Sequence, residues 1–197
     1  ACAPFRRLHL CSHNLETINN TTSTTHKLLA EVCMAAKYEA QSLIPYHDKY
    51  KLTNSSSEIC TVLARSFADI GDIIRGKDLF LGNSVESAQR DKLENNLKKI
   101  FENIYNELTT KNGTKERYKD TDNYYKLRED WWELNRQTVW KAITCGAGQN
   151  DKYFRGTWCG DEKTATQASH QCRCTTHDVP TYFDYVPQYL RWFEEWA

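Results

Sequence analysis

Glycine and proline are scarce, at 8 and 4 among 197 residues. Turns therefore interrupt the chain rarely, which favours long helices over many short strands. No apolar run is long enough to span a bilayer, and no signal-peptide or lipidation motif is present. The 26 basic and 26 acidic residues cancel, so nothing in the overall charge draws the chain to nucleic acid or an anionic membrane. Catalytic signatures are missing too: there is no G-x-S-x-G, Walker loop, H-E-x-x-H or G-x-G-x-x-G. The six histidines are scattered. The short GAG and RGT runs around Gly146, Gly148 and Gly156 do not make a phosphate cradle. Neither an enzyme nor a bound cofactor is expected.

What the chain does contain is a hydrophobic fraction of 40 % with 26 % charged residues, enough for one folded domain with a real core. Its strongest stretch is Leu127 to Cys145, LREDWWELNRQTVWKAITC. On a helix, Leu127, Trp131, Leu134, Ala142 and Cys145 fall on one stripe, and Trp132, Val139, Trp140 and Ile143 on a second, roughly opposite. Two apolar stripes predict a helix packed on both sides, and each buried tryptophan is worth roughly 3–5 kcal/mol against truncation. This helix is expected from about Thr121 to near Gly146.

Other elements follow from spacing. Residues 1–15 are irregular, with Pro4 blocking an early helix. A first long helix starts at Thr25 or His26 and ends at Ile44, where Pro45 stops it. Residues 46–56 read as a loop. Ser57 is a plausible N-cap for a helix carrying Ile59, Cys60, Val62, Leu63, Phe67, Ile70, Ile73 and Ile74. In that helix Asp69 and Asp72 could form a catalytic or metal pair, but pairing with arginines such as Arg75 is the stronger reading, with Gly71 allowing a neighbouring helix close. Residues 86–109 form an amphipathic helix, Asn112-Gly113 a turn, and 146–178 a long irregular segment. A last helix restarts at Pro187 and packs through Tyr189, Leu190, Trp192, Phe193 and Trp196. Asn19, Asn20, Asn54 and Asn112 open glycosylation sequons, which mark surface loops.

Eight cysteines mean metal ligands or disulfides. Cys159, Cys172, Cys174 and His177 fit no common zinc spacing. Disulfides that staple the 146–178 segment to helices through Cys33, Cys60 and Cys145 are the better reading; Cys2 and Cys11 bracket the N-terminal segment. Arg6 and Arg7 could contact an anion or glycan, although pairing with carboxylates inside the fold is the stronger alternative. The chain does not begin with Met and stops inside a helical pattern, so it reads as a fragment of a larger protein.

The blocks CAPFRRLHLC, LLAEVCMAAKYEA, ICTVLARSFADIGDIIRGKDLFLG, LENNLKKIF, LREDWWELNRQTVWKAITC and DVPTYFDYVPQYLRWFEEWA resemble the Duffy-binding-like domain. They are most similar to its alpha class, found near the N-terminus of Plasmodium falciparum erythrocyte membrane protein one, the var-encoded adhesin. The resemblance implies an all-α fold, a Duffy-binding-like helical bundle with long disulfide-stapled loops. It implies that residues 1–15 end subdomain one, that 16–197 form subdomain two, and that Cys2 and Cys11 pair with cysteines upstream. It further implies a host-cell adhesion module on the infected red-cell surface, subject to antigenic variation and to host antibodies. The partners it implies are a host receptor or glycan (heparan sulfate, a blood-group sugar or complement receptor) and an adjacent cysteine-rich interdomain region. The alternative role is a scaffold that only orients that region. Cys145, Cys159, Cys172 and Cys174 resemble the four-cysteine subgroup, which is less often linked to rosetting. Candidate glycan or receptor contacts are Arg6, Arg7, Arg75, Lys77, Arg90, Lys98 and Lys99, basic residues on elements expected to be exposed.

Overall fold

The structure is a computed structural model that describes residues 2–19, 24–55, 58–108, 114–119, 123–153, 170–174 and 179–196. Eight helices make up the described residues: α1 Phe5–Leu8, α2 His13–Glu16, α3 Thr25–Lys51, α4 Ile59–Arg75, α5 Ser84–Glu107, α6 Thr114–Arg117, α7 Tyr125–Ile143 and α8 Gln188–Trp196. A 3-10 turn, Phe183–Tyr185, precedes α8. No strand occurs among the described residues, only an isolated bridge between His170 and Arg173. The expected all-α bundle is what forms. No described helix is long and apolar enough to cross a membrane.

Helix α4 lies at the centre, against α3, α7, α8 and the 3-10 turn. Nearly its whole surface is buried, polar residues included: Ser66, Asp69, Asp72 and Arg75 join the apolar set. Gly76 ends it in the left-handed conformation, φ 71°, which glycine adopts without a Cβ penalty. The side chain of Arg128 from α7 closes that end, donating to the carbonyls of Ile73 and Ile74 at 3.2 and 2.6 Å.

Helix α7 is packed on two sides, as its two stripes predict. Trp131 meets Phe101 of α5 edge-on, with ring centroids 6.1 Å apart. Trp132 and Trp140 both meet Phe67 of α4, each at 5.1 Å. All three tryptophans are buried. Gly71 is what lets α4 and α7 approach: a Cβ there would stand 2.7 Å from Trp132 Cζ2. Two positions depart from the stripes. Leu134 is 82 % exposed, because it stands about 60° around the helix from Trp131, on the side facing Tyr182. Cys145 is also exposed, since α7 ends at Ile143 and the helical stripe no longer applies.

Three further expectations are corrected. Pro45 does not stop α3; the helix runs through it to Lys51, so 46–51 are helical rather than loop. Buried His47, two residues beyond the proline, ties this extension to the protein. Helix α8 does start next to Pro187, but Tyr189, Leu190, Phe193 and Trp196 are exposed. It docks through Gln188, Arg191 and Trp192, because the face it meets on α4 carries carboxylates. Finally, Glu58 occupies the N-cap of α4 without a side-chain hydrogen bond; Ser57, Asn20, Asn112, Gly113, Gly156, Cys159 and His177 lie outside the described residues.

One disulfide, Cys60–Cys172, joins the first turn of α4 to the 146–178 segment across 112 residues. Cys174 is disulfide-bonded as well. This bears out the staple to Cys60 and rules out Cys172 and Cys174 as zinc ligands. Cys33 and Cys145 do not take part: both are free thiols, as are Cys2 and Cys11. The described part of the segment is held further by Trp140, whose indole N–H donates to the Cys172 carbonyl at 3.1 Å. The Tyr153 hydroxyl also bonds Thr181 Oγ1, at 3.1 Å.

Candidate functional site

The arginines singled out in the sequence converge on a buried ion network rather than on the surface. Asp69, on the buried face of α4, is its centre. Its two oxygens receive Arg6 Nη2 at 2.7 Å and Arg191 Nη2 at 2.8 Å, with Gln188 Nε2 at 3.1 Å. Arg6 also holds Glu195 of α8 and donates to Ser66 Oγ. Asp72, one turn on, takes Arg75 at 2.9 Å and Arg191. The N-terminal segment, α4 and α8 are thereby locked together.

A second centre is Asp78, just past α4. It accepts from Arg7 at 2.6 Å, from Arg90 and from Gln188 at 2.8 Å. The guanidinium groups of Arg7 and Arg90 lie over the Phe80 ring, at 4.6 and 5.5 Å. A third is Asp184 in the 3-10 turn, which accepts from Trp132 Nε1 at 2.8 Å and from Arg136 at 2.7 and 2.9 Å. Arg128 is paired with Glu94 at 2.6 and 2.9 Å.

The electrostatics follow from burial set against pairing. Burial alone would raise the Asp69 carboxyl, but Arg6 and Arg191 hold it below the usual range. At Asp72 burial prevails over Arg191 and Arg75, and the carboxyl is pushed up. Burial lowers Arg7 and Arg90, each to about 10, with the Arg6 charge opposing Arg7 and the Arg7 charge opposing Arg90. Both remain cations at neutral pH.

Arg6, Arg7 and Arg75 are therefore buried and bonded to carboxylates, the stronger of the two readings of Arg6 and Arg7. Their donors already point into the protein. Arg90 is mostly covered by Asp78 and Phe80. Lys77 is exposed and pairs with Glu129 at 2.5 Å. Lys98 is half-buried and Lys99 exposed on α5. The seven residues do not form one basic face. Among the described residues no three His, Cys, Asp or Glu side chains group as a metal site.

Sequence reasoning left Arg128, Arg191 and Asp184 out of this network. A signal was available for Asp184: it is a lone acid in an aromatic run, TYFDY, between two prolines. Such an acid, once buried, needs cationic or N–H partners.

The model of the Duffy binding domain family matches residues 1–191. The chain belongs to that family. A crystal structure of the NTS-DBL1(alpha-1) domain of PfEMP1 from the Plasmodium falciparum varO strain is 45 % identical, with a TM-score of 0.81; the match covers 100 % of this chain and 43 % of that one. The IT4var13 DBLbeta domain of PfEMP1, solved bound to ICAM-1, is 35 % identical with a TM-score of 0.71, covering 100 % and 44 %. The Duffy receptor gamma form of Plasmodium knowlesi is 24 % identical over 209 residues, spanning the whole of this chain and 15 % of the receptor. The chain thus spans under half the length of the structures it resembles and about a seventh of that receptor. The alpha-class resemblance read from the sequence blocks agrees with the first of these matches. For a Duffy binding domain, two of the sequence blocks now have physical roles. FADIGDIIR and LREDWWELNR belong to the two helices joined at Gly71 and Trp132, and they supply Asp69, Asp72, Arg75, Arg128 and Arg136 to the ion network.

Proposed function

We propose that this chain is the adhesive core of a variant surface antigen displayed outside the infected red cell, where it contacts a host receptor or glycan. The observation that carries the reading is the likeness, over the full chain, to the alpha-class domain at 45 % identity. The ICAM-1 complex of the DBLbeta relative adds support from another class of the same fold. The chemistry fits a binding role rather than a catalytic one. The buried Asp69, Asp72 and Asp184 are engaged by arginine and the buried Glu39 by the Cys11 N–H and the Ser66 hydroxyl, and their function is to fix the shape on which an outer surface is carried. Residues 1–15 would close subdomain one and 16–197 form subdomain two.

For a sulfated glycan such as heparan sulfate, the candidates left at the surface are Lys98, Lys99 and Lys77, the last shared with Glu129, since Arg6, Arg7 and Arg75 are occupied inside. A blood-group sugar or complement receptor would use neutral contacts instead. The loops at 16–26, 109–123 and 146–178 can vary under antibody pressure without altering the Gly71–Trp132 seam. The test is binding of the recombinant protein to red cells and endothelial cells, with and without reduction of Cys60–Cys172. Specific binding that is lost on reduction is expected. Absence of binding to every receptor and glycan of an array, in isolation and in tandem with its native neighbour, would overturn the adhesive reading.

A second reading is favoured by one observation. Tyr189, Leu190, Phe193 and Trp196 leave an aromatic row exposed on α8. Such a row suits a scaffold that seats an adjacent cysteine-rich interdomain region. In that case deletion of this chain from a tandem protein changes receptor binding by the neighbour, while the chain alone binds nothing.

A further inference from the structure

A cleft of about 610 Å3 lies between α7 and the segment leading to the 3-10 turn, lined by Glu129, Glu133, Leu134, Arg136, Tyr182 and Tyr185 among others. Its lining brings exposed leucine and tyrosine side chains together. Leu134 is 82 % exposed, Tyr182 75 % and Tyr185 43 %. Leucine and tyrosine are costly to leave in water together, and rigid tyrosines are the side chains that most often anchor protein contacts.

The cleft is pre-shaped. Arg136 lies 5.4 Å from the centroids of both Tyr182 and Tyr185. It is itself fixed by two bonds to Asp184 and one, at 2.8 Å, to the Thr181 carbonyl. The turn is closed by Phe183 N–H to Thr181 Oγ1 at 3.0 Å and by Tyr185 N–H to the Tyr182 carbonyl at 2.9 Å. Little conformational entropy is left to lose on binding.

The charge at the rim selects the occupant. Arg136 is neutralised by Asp184, so the cleft offers no cation to an anionic ligand. Glu129 is shared with Arg75 and Lys77. Glu133 is exposed, with no ion-pair partner among the described residues, and its field reaches the Tyr185 phenol, which burial, Asp184 and Glu133 together push up. Arg136 lies over both rings and Arg75 over Tyr185, but Tyr182 remains 75 % exposed, and a carboxylate beside that exposed ring is complementary to a guanidinium, which pairs with the one and stacks on the other.

We infer that this cleft is a docking site for a partner protein that presents an arginine flanked by apolar side chains, the arginine at Glu133 and Tyr182 and an apolar neighbour on Leu134. The site rests on the adhesive reading above and locates one contact surface for it.

The test is a titration of the protein, with its disulfides intact, by capped leucyl-arginyl-leucine amide. It is followed through the ring resonances of Tyr182 and Tyr185 and the methyls of Leu134. Saturable shifts of these groups are expected. Glu133→Gln and Tyr182→Ala, both surface changes that leave the helical signal intact, should each weaken binding at least about threefold. The glutamyl analogue of the peptide should not saturate. Three results would each overturn the inference: no saturable shift, affinity unchanged in both variants, or tighter saturation by lactose than by the arginyl peptide. The last would make the cleft a neutral-sugar site. Cell binding that persists while the peptide fails removes this site alone. Peptide binding without any cell binding removes the adhesive reading alone.

Discussion

Replacing Gly71 with alanine pits helix propensity against packing at one atom. In the middle of α4, alanine is favoured over glycine by about 1 kcal/mol. The added methyl, however, would meet Trp132 Cζ2 at 2.7 Å and Cε2 at 2.8 Å. These are ring atoms of a fully buried indole. The ring cannot retreat easily, because its N–H is bonded to Asp184 at 2.8 Å and its face packs on Phe67. Overpacking a tight core costs about 1–3 kcal/mol, and two contacts this short place Gly71→Ala at the upper end. The net loss is then about 2 kcal/mol, a fall in Tm of roughly 4–8 °C for a chain of this size. Urea melts followed by tryptophan fluorescence would measure it. The decisive control is a Trp132→Leu background, where the clash is gone and Gly71→Ala should turn neutral or stabilising. An equal cost in both backgrounds, or a gain in the parent protein, would refute the seam as described.

Three other outcomes follow from the same geometry. Asp69→Asn leaves Arg6 and Arg191 in the core short of a counter-charge and should cost about 3–5 kcal/mol, read from the same melts. Because the Asp69 carboxyl is held below its usual value, its stabilising contribution is complete above the unfolded pKa of about 3.9 and is lost as pH falls through the lower folded value. Asp72 is shifted upward and contributes the opposite slope, so Asp69→Asn should flatten the acid limb of a stability–pH profile and Asp72→Asn should not. Opening the Cys60–Cys172 bond with a Cys60→Ala, Cys172→Ala pair should cost about 2–5 kcal/mol while leaving most helical circular dichroism in place. Pro45→Ala should raise stability by about 1–3 kcal/mol, since α3 already runs through an exposed Pro45; a lower Tm would mean the proline sets a bend the fold requires.

Much of the fold was legible because apolar spacing carries most of the information. The tryptophan helix, the close approach at Gly71, and the pairing of Asp69 and Asp72 with arginine all follow from residue type and period. Pro45 was misread because a proline removes one hydrogen bond, a local penalty that burial of His47 two residues later can offset. Leu134 and the α8 aromatics were misread for a different reason. Periodicity says which residues share a face, but not whether another element covers that face. On α8 the buried side is Gln188, Arg191 and Trp192, and only the position of Asp69 and Asp72 on α4 explains that choice.

The arginines were the hardest to assign, and their placement governs where binding can occur. A sequence with equal numbers of acids and bases gives no sign of which cations face water. Here three of the seven basic candidates are buried at Asp69, Asp72 and Asp78, and Arg90 is mostly covered. With these guanidiniums withdrawn, the seven candidates share no basic face. For the recognition proposed above, that leaves the lysines and the uncharged aromatic surface. The cleft at Tyr182 has the second character: its one arginine is neutralised and its carboxylate at Glu133 is free of any described ion pair. If the fold needs the arginines inside, a partner has to bring its own.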